Sequence, residues 1–386
     1  MLIDFATSAE AIDRSNPAPN GCYPIGIDYG FSGVKGFAPD KVFCFPNCAV
    51  RIGEEKLGAI LDTSPDDIFL RNSDGLWVIG VKADEMISEE NAMNYENEMY
   101  GRNRYFQPAF RALMMAGLGI ALSPTMQRQY HGEPIYVQTG LPPKYRAQDT
   151  PMLKETISGT YDFEMRAGRG AFRRYSFTVL PDNVFVMDQP MGSLISAITQ
   201  PDGSQQASDI RLLRSSTLVF DPGFMTLDIF DISAGMVRES NTFDTLGMHE
   251  AFARTVNDLS SRYGASVTVP GMQNAIRRGY VTAFDRHEMR SQNISFEAML
   301  QKYSDDVCDE AIGKLVSIYN YMQDHSCMIV TGGTGDAWLP RIRDYFSRMQ
   351  SLSIISADRY SDGLSNVYSN VRGYYMYRVS ALARKG

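Results

Sequence analysis

The sequence predicts an α/β protein built of two similar lobes. Three observations lead to this prediction. A β-meander followed by helices occurs twice, first from Tyr23 and again from Thr217. The first turn of each meander follows an acidic residue, Asp28 or Asp221, and contains glycine. The chain has 386 residues, of which 44% are hydrophobic, so it is too long for one ordinary core and fits two.

The lobes are assigned from the order of these elements. Residues 1–22 are expected to form a flexible N-terminal tail, since their acidic residues interrupt any apolar pattern. Lobe I is predicted at 23–200, with 365–386 returning to it, and lobe II at 201–364. The polar loop 200–208 is the expected junction, and 264–291 reads as a mixed insert.

Composition excludes several classes of protein. The formal net charge of -8 argues against a body that coats nucleic acid by charge alone. Five cysteines are few and odd in number, which favours a reducing compartment without a disulfide framework. The longest apolar stretch, 112–122, is far shorter than the ~20 residues needed to span a bilayer. We therefore expect a soluble, cytoplasmic protein.

The first acid-ended turn lies between two predicted strands. It brings a carboxylate, backbone N–H groups, a hydroxyl and an amine together. The residues expected to contribute are Asp28, Gly30, Phe31, Ser32, Gly33 and Lys35. A surface lysine of the second strand is the alternative for Lys35, but its place directly after the turn favours a phosphate contact.

The second acid-ended turn repeats this design in the middle of the chain. Its expected ligand-binding residues are Asp221, Gly223, Phe224, Met225 and Thr226. Asp228 follows and either contacts a metal or fixes the hairpin. A third glycine-rich segment comes after a buried strand and suits the flat face of a base packed on bare backbone. It contains Gly332, Gly333, Thr334 and Gly335.

These turns predict a site for a nucleoside triphosphate and a divalent metal. Such a ligand needs backbone N–H groups around its phosphates and carboxylates near the hydrated metal. Asp28 and Asp221 are predicted to face each other across a cleft and to hold Mg²⁺ between them. Neither the Walker pattern nor Gly-x-Gly-x-x-Gly occurs, so the P-loop and dinucleotide interpretations lose their main support.

Three segments, in this order, resemble the phosphate 1, phosphate 2 and adenosine motifs of the actin, Hsp70 and sugar-kinase superfamily. They are Ile27-Asp28-x-Gly30-x-x-x-x-Lys35, Phe220-Asp221-x-Gly223-x-x-Thr226-x-Asp228 and Ile329-Val330-x-Gly332-Gly333-x-Gly335. The resemblance implies an actin-like, ribonuclease H-like fold with a nucleotide cleft between the lobes.

Within the superfamily, the chain is most similar to the plasmid-segregation actins of the ParM/StbA type. The segments that carry this similarity are Asp221-Pro-Gly-Phe-Met-Thr-Leu-Asp228, Gly140-Leu-Pro-Pro-Lys-Tyr145 and Thr245-Leu-Gly247. The similarity covers about residues 23–380, patchily. Pro222 and Phe224 depart from the usual phosphate 2 turn, and Phe224 could cover the phosphate.

The same resemblance implies which residue positions the hydrolytic water. These plasmid actins usually carry Pro-Glu at the relevant strand end, whereas this chain has Asp188-Gln189-Pro190 and eukaryotic actin likewise has Gln. We predict Gln189 in this role, with Asp188 as the alternative if the alignment shifts by one. The predicted catalytic residues are therefore Gln189, Asp221 and Asp28. Because a glutamine cannot act as a strong general base, hydrolysis is expected to be slow until lobe closure or assembly aligns the water.

The resemblance implies an ATPase that assembles into nucleotide-dependent filaments for plasmid DNA segregation. ATP, possibly GTP, and Mg²⁺ are the expected cofactors, and the expected partners are further copies of the chain and a DNA-binding adaptor. No direct binding to nucleic acid or membrane is expected. A small-molecule kinase of the superfamily and another cytoskeletal actin remain as alternatives. An Hsp70 chaperone is disfavoured because no peptide-binding domain is recognisable.

Overall fold

Two major β-sheets dominate the computed structural model, which describes residues 9–60, 62–87, 94–95, 97–285 and 289–384. The first sheet contains, in spatial order, strands β1 (Glu10–Asp13), β4 (Lys41–Pro46), β3 (Gly33–Ala38), β2 (Tyr23–Tyr29), β8 (Ile135–Leu141) and β11 (Val184–Asp188). The second contains β14 (Met236–Phe243), β13 (Leu227–Ser233), β12 (Thr217–Pro222), β17 (Cys327–Val330) and β18 (Ser353–Ser356).

The two sheets share one topology. In each, an antiparallel meander of three strands continues into two parallel strands: β4-β3-β2-β8-β11 corresponds to β14-β13-β12-β17-β18. Parallel neighbours need long crossovers, and helices supply them. The predicted α/β fold with two similar lobes is therefore confirmed.

Two smaller sheets are separate from the two major ones. A five-stranded sheet has the order β10 (Arg173–Val179), β9 (Gly159–Ala167), β6 (Ile68–Asn72), β7 (Gly75–Ile79) and β5 (Ala49–Ile52). A two-stranded hairpin, β15 (Tyr280–Asp285) and β16 (Arg290–Ser295), begins within the segment expected as a mixed insert and extends four residues beyond it.

Eleven α-helices are described. They are α1 (Glu54–Leu57), α2 (Val81–Met86), α3 (Pro108–Leu122), α4 (Pro143–Ile157), α5 (Gln189–Ile198), α6 (Ala207–Arg214), α7 (Met248–Tyr263), α8 (Val269–Ala275), α9 (Glu297–Ile318), α10 (Gly332–Tyr345) and α11 (Ser369–Ala383). Short 3₁₀ turns lie at Arg102–Phe106, Pro181–Asn183, Asn320–Met322 and Asn366–Tyr368. None of these helices has both the length and the apolar character that crossing a membrane requires.

Each major sheet has its own hydrophobic core. On the first sheet, Ile25, Ile27 and Val34 pack with α3 and with residues of the five-stranded sheet. On the second, strands β12 and β13 pack against a layer that includes α7, α9 and α10. Helix α3 is apolar around most of its circumference, which allows it to be buried on nearly all sides.

The N-terminal segment is more ordered than expected. Within 9–22, which we expected to belong to a flexible tail, β1 pairs antiparallel with β4 and adds an edge strand to the first sheet. The backbone N–H of Arg14 donates to Asp40 O at 2.9 Å, and the Tyr375 hydroxyl donates to Pro17 O at 2.8 Å. Pairing satisfies backbone groups that the free edge of β4 would leave open. Residues 1–8 lie outside the described residues.

Helices α5 and α11 cross at a backbone-to-backbone contact behind the two sheets. A Cβ added to Gly373 would lie 1.7 Å from Gly192 O, so only glycine allows this approach. Helix α11 also packs against β2 and β8, whereas α5 packs against β12 and β13. The helix pair therefore joins the first sheet to the second.

This contact predicts a sharp difference between two glycine substitutions. Gly373→Ala should lower the free energy of unfolding by about 3 kcal/mol or more, because the new methyl group meets rigid backbone. Gly313→Ala, on an exposed face of α9 with open space around it, should raise that free energy by about 0.5–1 kcal/mol. Urea unfolding of both variants measures the difference, and equal stabilities would contradict the assigned helix crossing.

Candidate functional site

The two acid-ended hairpins have the same register. Asp28 lies opposite Lys35 across β2 and β3, and Asp221 lies opposite Asp228 across β12 and β13. All three carboxylates are buried, and Lys35 Nζ lies 3.1 Å from Asp28 Oδ2. The corresponding position therefore holds a cation in the first hairpin and an acid in the second.

The turn of the first hairpin is held by a neighbouring loop. Asn47 donates its backbone N–H to Ser32 O at 3.1 Å and its side-chain amide to Phe31 O at 3.1 Å. The Phe31 ring packs against the Arg104 guanidinium, whose carbon lies 4.1 Å from the ring centroid. Gly30 and Gly33, the other predicted members of this turn, lie at its two ends.

The turn of the second hairpin is fixed by its own backbone and by α7. Gly223 N–H donates to Thr226 O at 2.7 Å, and His249 N–H donates to Phe224 O at 2.8 Å. The Phe224 ring packs against Tyr100, His249 and Phe252, with centroid distances of 5.5–6.0 Å. Phe224, which departs from the usual phosphate 2 turn, thus lies in an aromatic cluster. Tyr100 of this cluster packs on the core of the first sheet, and Phe252 belongs to the core of the second.

The third predicted segment is helical, not a free turn. Gly332, Gly333, Thr334 and Gly335 form the first turn of α10 directly after β17. Gly332 has a φ of 78°, and a Cβ there would lie 3.4 Å from both Asp221 Oδ1 and Pro222 O. Thr334 Oγ1 donates to Gly223 O at 3.3 Å. The helix begins at Gly332 because glycine tolerates the positive φ and the close approach to Asp221 and Pro222 found there.

Gln189 and Asp188 point to different partners. The Gln189 side chain lies close enough to the Asp221 carboxylate to lower the pKa of that acid. Asp188 instead accepts a hydrogen bond from Arg146 Nε at 2.6 Å. The structure therefore places Gln189, and not Asp188, beside the predicted carboxylate.

Two residues at this site were not predicted from the sequence. Asn370, in α11, donates from Nδ2 to Asp221 Oδ2 at 2.9 Å. Ser193, in α5, lies 2.5 Å from both Asn370 Oδ1 and Thr331 Oγ1. In the sequence, Asn370 is only a polar residue on the expected buried side of the last helix. This pattern alone does not identify Asp221 as its hydrogen-bond partner.

Burial and neighbouring charge control the ionisation of the acids. The pKa of Asp221 is raised to about 6, because burial and the charge of Asp28 raise it by more than Asn370, Lys35 and Gln189 lower it. Burial, reinforced by Asp221, also raises the pKa of Asp228 well above its usual value. Burial lowers the pKa of Lys35, but Asp28 and other nearby groups outweigh this effect and the net shift is upward.

The donor set at the hairpin ends fits a hard cation such as Mg²⁺. Asp28 and Asp221 supply carboxylate oxygens, and their mutual repulsion would be relieved by a dication. Within the described ranges, no three His, Cys, Asp or Glu side chains form a metal cluster. A metal here would thus need further oxygens from phosphate or water, which is the usual coordination of Mg²⁺.

Comparison with solved structures identifies the fold. A pCBH ParM non-polymerisable quadruple mutant matches with a TM-score of 0.68 and 16% identity, covering 93% of this chain and 99% of that one. A ParM from a 15-stranded Clostridium botulinum filament matches with a TM-score of 0.66 and 17% identity, covering 92% and 98%. The fold is actin-like. The archaeal actin homologue Ta0583 in complex with ADP also matches, with a TM-score of 0.59 and 14% identity, covering 94% and 99%.

The likeness to ParM and other actin homologues confirms the resemblance expected from the three motifs. No family model and no curated protein matches the sequence itself. At these identities the comparison defines the fold of this actin-like chain, and its activity has to be argued from its own residues.

The raised pKa of Asp221 predicts how stability depends on pH. Because the folded-state pKa, about 6, exceeds the ordinary value of 3.8, the folded state binds this proton more tightly than the unfolded state. Asp221 therefore destabilises the nucleotide-free protein increasingly as pH rises from 3.8 to about 6. Over this interval Asp221→Asn should gain about 1–3 kcal/mol of unfolding free energy relative to wild type, and the gain should then level off.

Urea unfolding between about pH 4 and pH 8 measures this difference. Asp66→Asn, at an exposed position, controls for the loss of one carboxylate. A difference between Asp221→Asn and wild type that stays constant across the range would contradict the role assigned to the buried carboxyl.

Proposed function

We propose that this actin-like chain is an ATPase that assembles into nucleotide-dependent filaments for plasmid DNA segregation. One observation carries the proposal. Asp221 is surrounded by three structural elements: the end of the other hairpin, Gln189 at the start of α5 and Gly332 at the start of α10. A phosphate chain and its metal need carboxylates and backbone groups gathered in this way. The ADP complex of the archaeal homologue adds support, since the two chains share the fold.

The proposed nucleotide contacts follow the predicted assignments. Backbone groups of the two turns would bind the phosphates, and Lys35 would contribute a charge. The residues of these turns are Gly30, Phe31, Ser32, Gly33, Gly223, Phe224, Met225 and Thr226. The first turn of α10, 332–335, would contact adenosine, or guanosine if GTP is used. Asp28 and Asp221 would hold Mg²⁺, which when bound neutralises charge on the phosphates.

Gln189 would orient the attacking water. Its side chain lies beside Asp221, one of the proposed metal ligands, whereas Asp188 is hydrogen-bonded by Arg146. A glutamine is too weak a base to accept a proton, so it acts by positioning. Hydrolysis would then be slow in the free protein and faster where assembly closes the lobes around the site.

Assembly would be head to tail between copies of the chain. Heterologous contacts that do not close into a ring generate filaments. The lobes would be 23–200 with 365–386, and 201–364, moving about a hinge near Gln200 and α11. The Clostridium botulinum relative was solved as a filament, which supports this arrangement. With a net charge of -8, the chain would reach plasmid DNA through a basic adaptor in the cytoplasm and would not bind DNA or membrane itself.

Sedimentation tests the proposed assembly. Purified protein should pellet with MgATP or a non-hydrolysable analogue and stay in the supernatant with ADP, because the closed form favours the filament contacts. Asp28→Ala should abolish nucleotide-dependent pelleting. Phosphorylation of a small metabolite without sedimentation over a wide range of protein concentration would instead favour a kinase of the same superfamily.

Gln189→Ala should separate hydrolysis from assembly. Loss of the positioned amide should slow phosphate production by about 100-fold or more, while MgATP still drives the protein into the pellet. Asp188→Asn is the matched control, since Asp188 bonds Arg146, and its hydrolysis rate should remain close to wild type. A Gln189→Ala variant that no longer binds nucleotide would refute the positioning role.

A further inference from the structure

Arg104 is a buried cation with an unused hydrogen-bond donor. Its side chain is only 5% exposed, and Nη2 donates to Tyr29 O at 2.7 Å. In the described part of the chain, the buried Nη1 has no hydrogen-bond partner. Leaving a charged N–H group unpaired in the interior is costly, so such a group calls for a functional explanation.

Arg104 lines a cavity beside both hairpin turns. The cavity has a volume of about 170 Å³, and its lining includes Phe31 of the first turn and Met225 and Thr226 of the second. This is roughly tenfold the room that one water molecule needs. The cavity is therefore large enough for a small anion next to the proposed phosphate contacts.

The other charged residues of this cavity already have partners. Asp149 is bound by Arg102, and Asp244 is bound by Lys144 and by the Tyr145 hydroxyl. Among the described residues that line the cavity, Arg104 is the only charged side chain that lacks an oppositely charged partner. The cavity therefore contains one unpaired positive charge, which a bound anion would neutralise.

We propose that this cavity binds inorganic phosphate, and that Arg104 is the residue that contacts it. The inference rests on the proposed ATPase function: the phosphate is the one released by hydrolysis, held after bond cleavage and before it leaves the cleft. A guanidinium suits a tetrahedral oxyanion because its N–H groups can donate in parallel to two oxygens.

The Phe31 ring covers one side of the Arg104 guanidinium. It lies over the guanidinium and also contacts Tyr100 at 6.3 Å between centroids, and Tyr100 contacts Phe224 at 5.8 Å. The ring that covers the arginine is therefore linked to both turns. A change in either turn on hydrolysis would therefore be transmitted to the ring that packs on Arg104.

Thermal unfolding with MgADP and inorganic phosphate tests the site without requiring turnover. Phosphate should raise the Tm of the MgADP-bound wild type, since it binds only the folded protein. Arg104→Gln should need about tenfold or more phosphate for the same rise, the loss expected for one charge-assisted contact. Arg111→Gln, an exposed arginine at the start of the following helix, is the control and should respond like wild type.

Phosphate release gives the second measurement. In wild type, a fluorescent phosphate sensor should lag behind the cleavage measured by acid quench, and Arg104→Gln should shorten the lag. An unchanged phosphate response in Arg104→Gln would overturn the site. Should that variant unfold, Arg104→Lys decides, and wild-type phosphate affinity in it would refute the role of the guanidinium. If MgADP itself does not stabilise wild type, the proposed nucleotide function fails, independently of the phosphate site.

Discussion

The close crossing of α5 and α11 is the contact on which the arrangement of the site depends. Gly192 and Gly373 let the two helix backbones touch, and no larger residue fits between them. This brings Gln189 and Asn370 beside Asp221 at the end of β12, and Ser193 hydrogen-bonds Asn370. A wider crossing would separate the helix residues from the acid, and the two hairpin ends would lose their common support.

The site concentrates charge where burial makes charge expensive. Asp28, Lys35, Asp221 and Asp228 are all largely buried, and three of the four are acids. Hydrogen bonds from Asn370, Thr226 and Thr242 offset part of the cost. The remainder must be supplied by the two hydrophobic cores that flank the site. Buried groups with shifted pKa values are typical of functional sites, and the surrounding fold provides the stability that they lack.

The sequence was informative where function follows from local order along the chain. The acids, glycines and Lys35 of the hairpins could be placed because a short antiparallel turn fixes which residues face each other. Asn370 and Arg104 could not, since their significance arises from partners far away in sequence, Asp221 and Tyr29 O. The strand at 10–13 was missed for a similar reason: a short polar segment becomes a strand only beside the open edge of β4.

The two hairpins are related by an approximate internal symmetry that one position breaks. Lys35 occupies in the first hairpin the place that Asp228 occupies in the second. If both hairpins carried lysine at this position, the electric field between the sheets would be nearly symmetric. An elongated polyanion could then bind in either of two orientations. With a cation on one side only, the field has a direction. The nucleotide of the proposed function would then have a single favourable orientation, selected by one cross-strand residue.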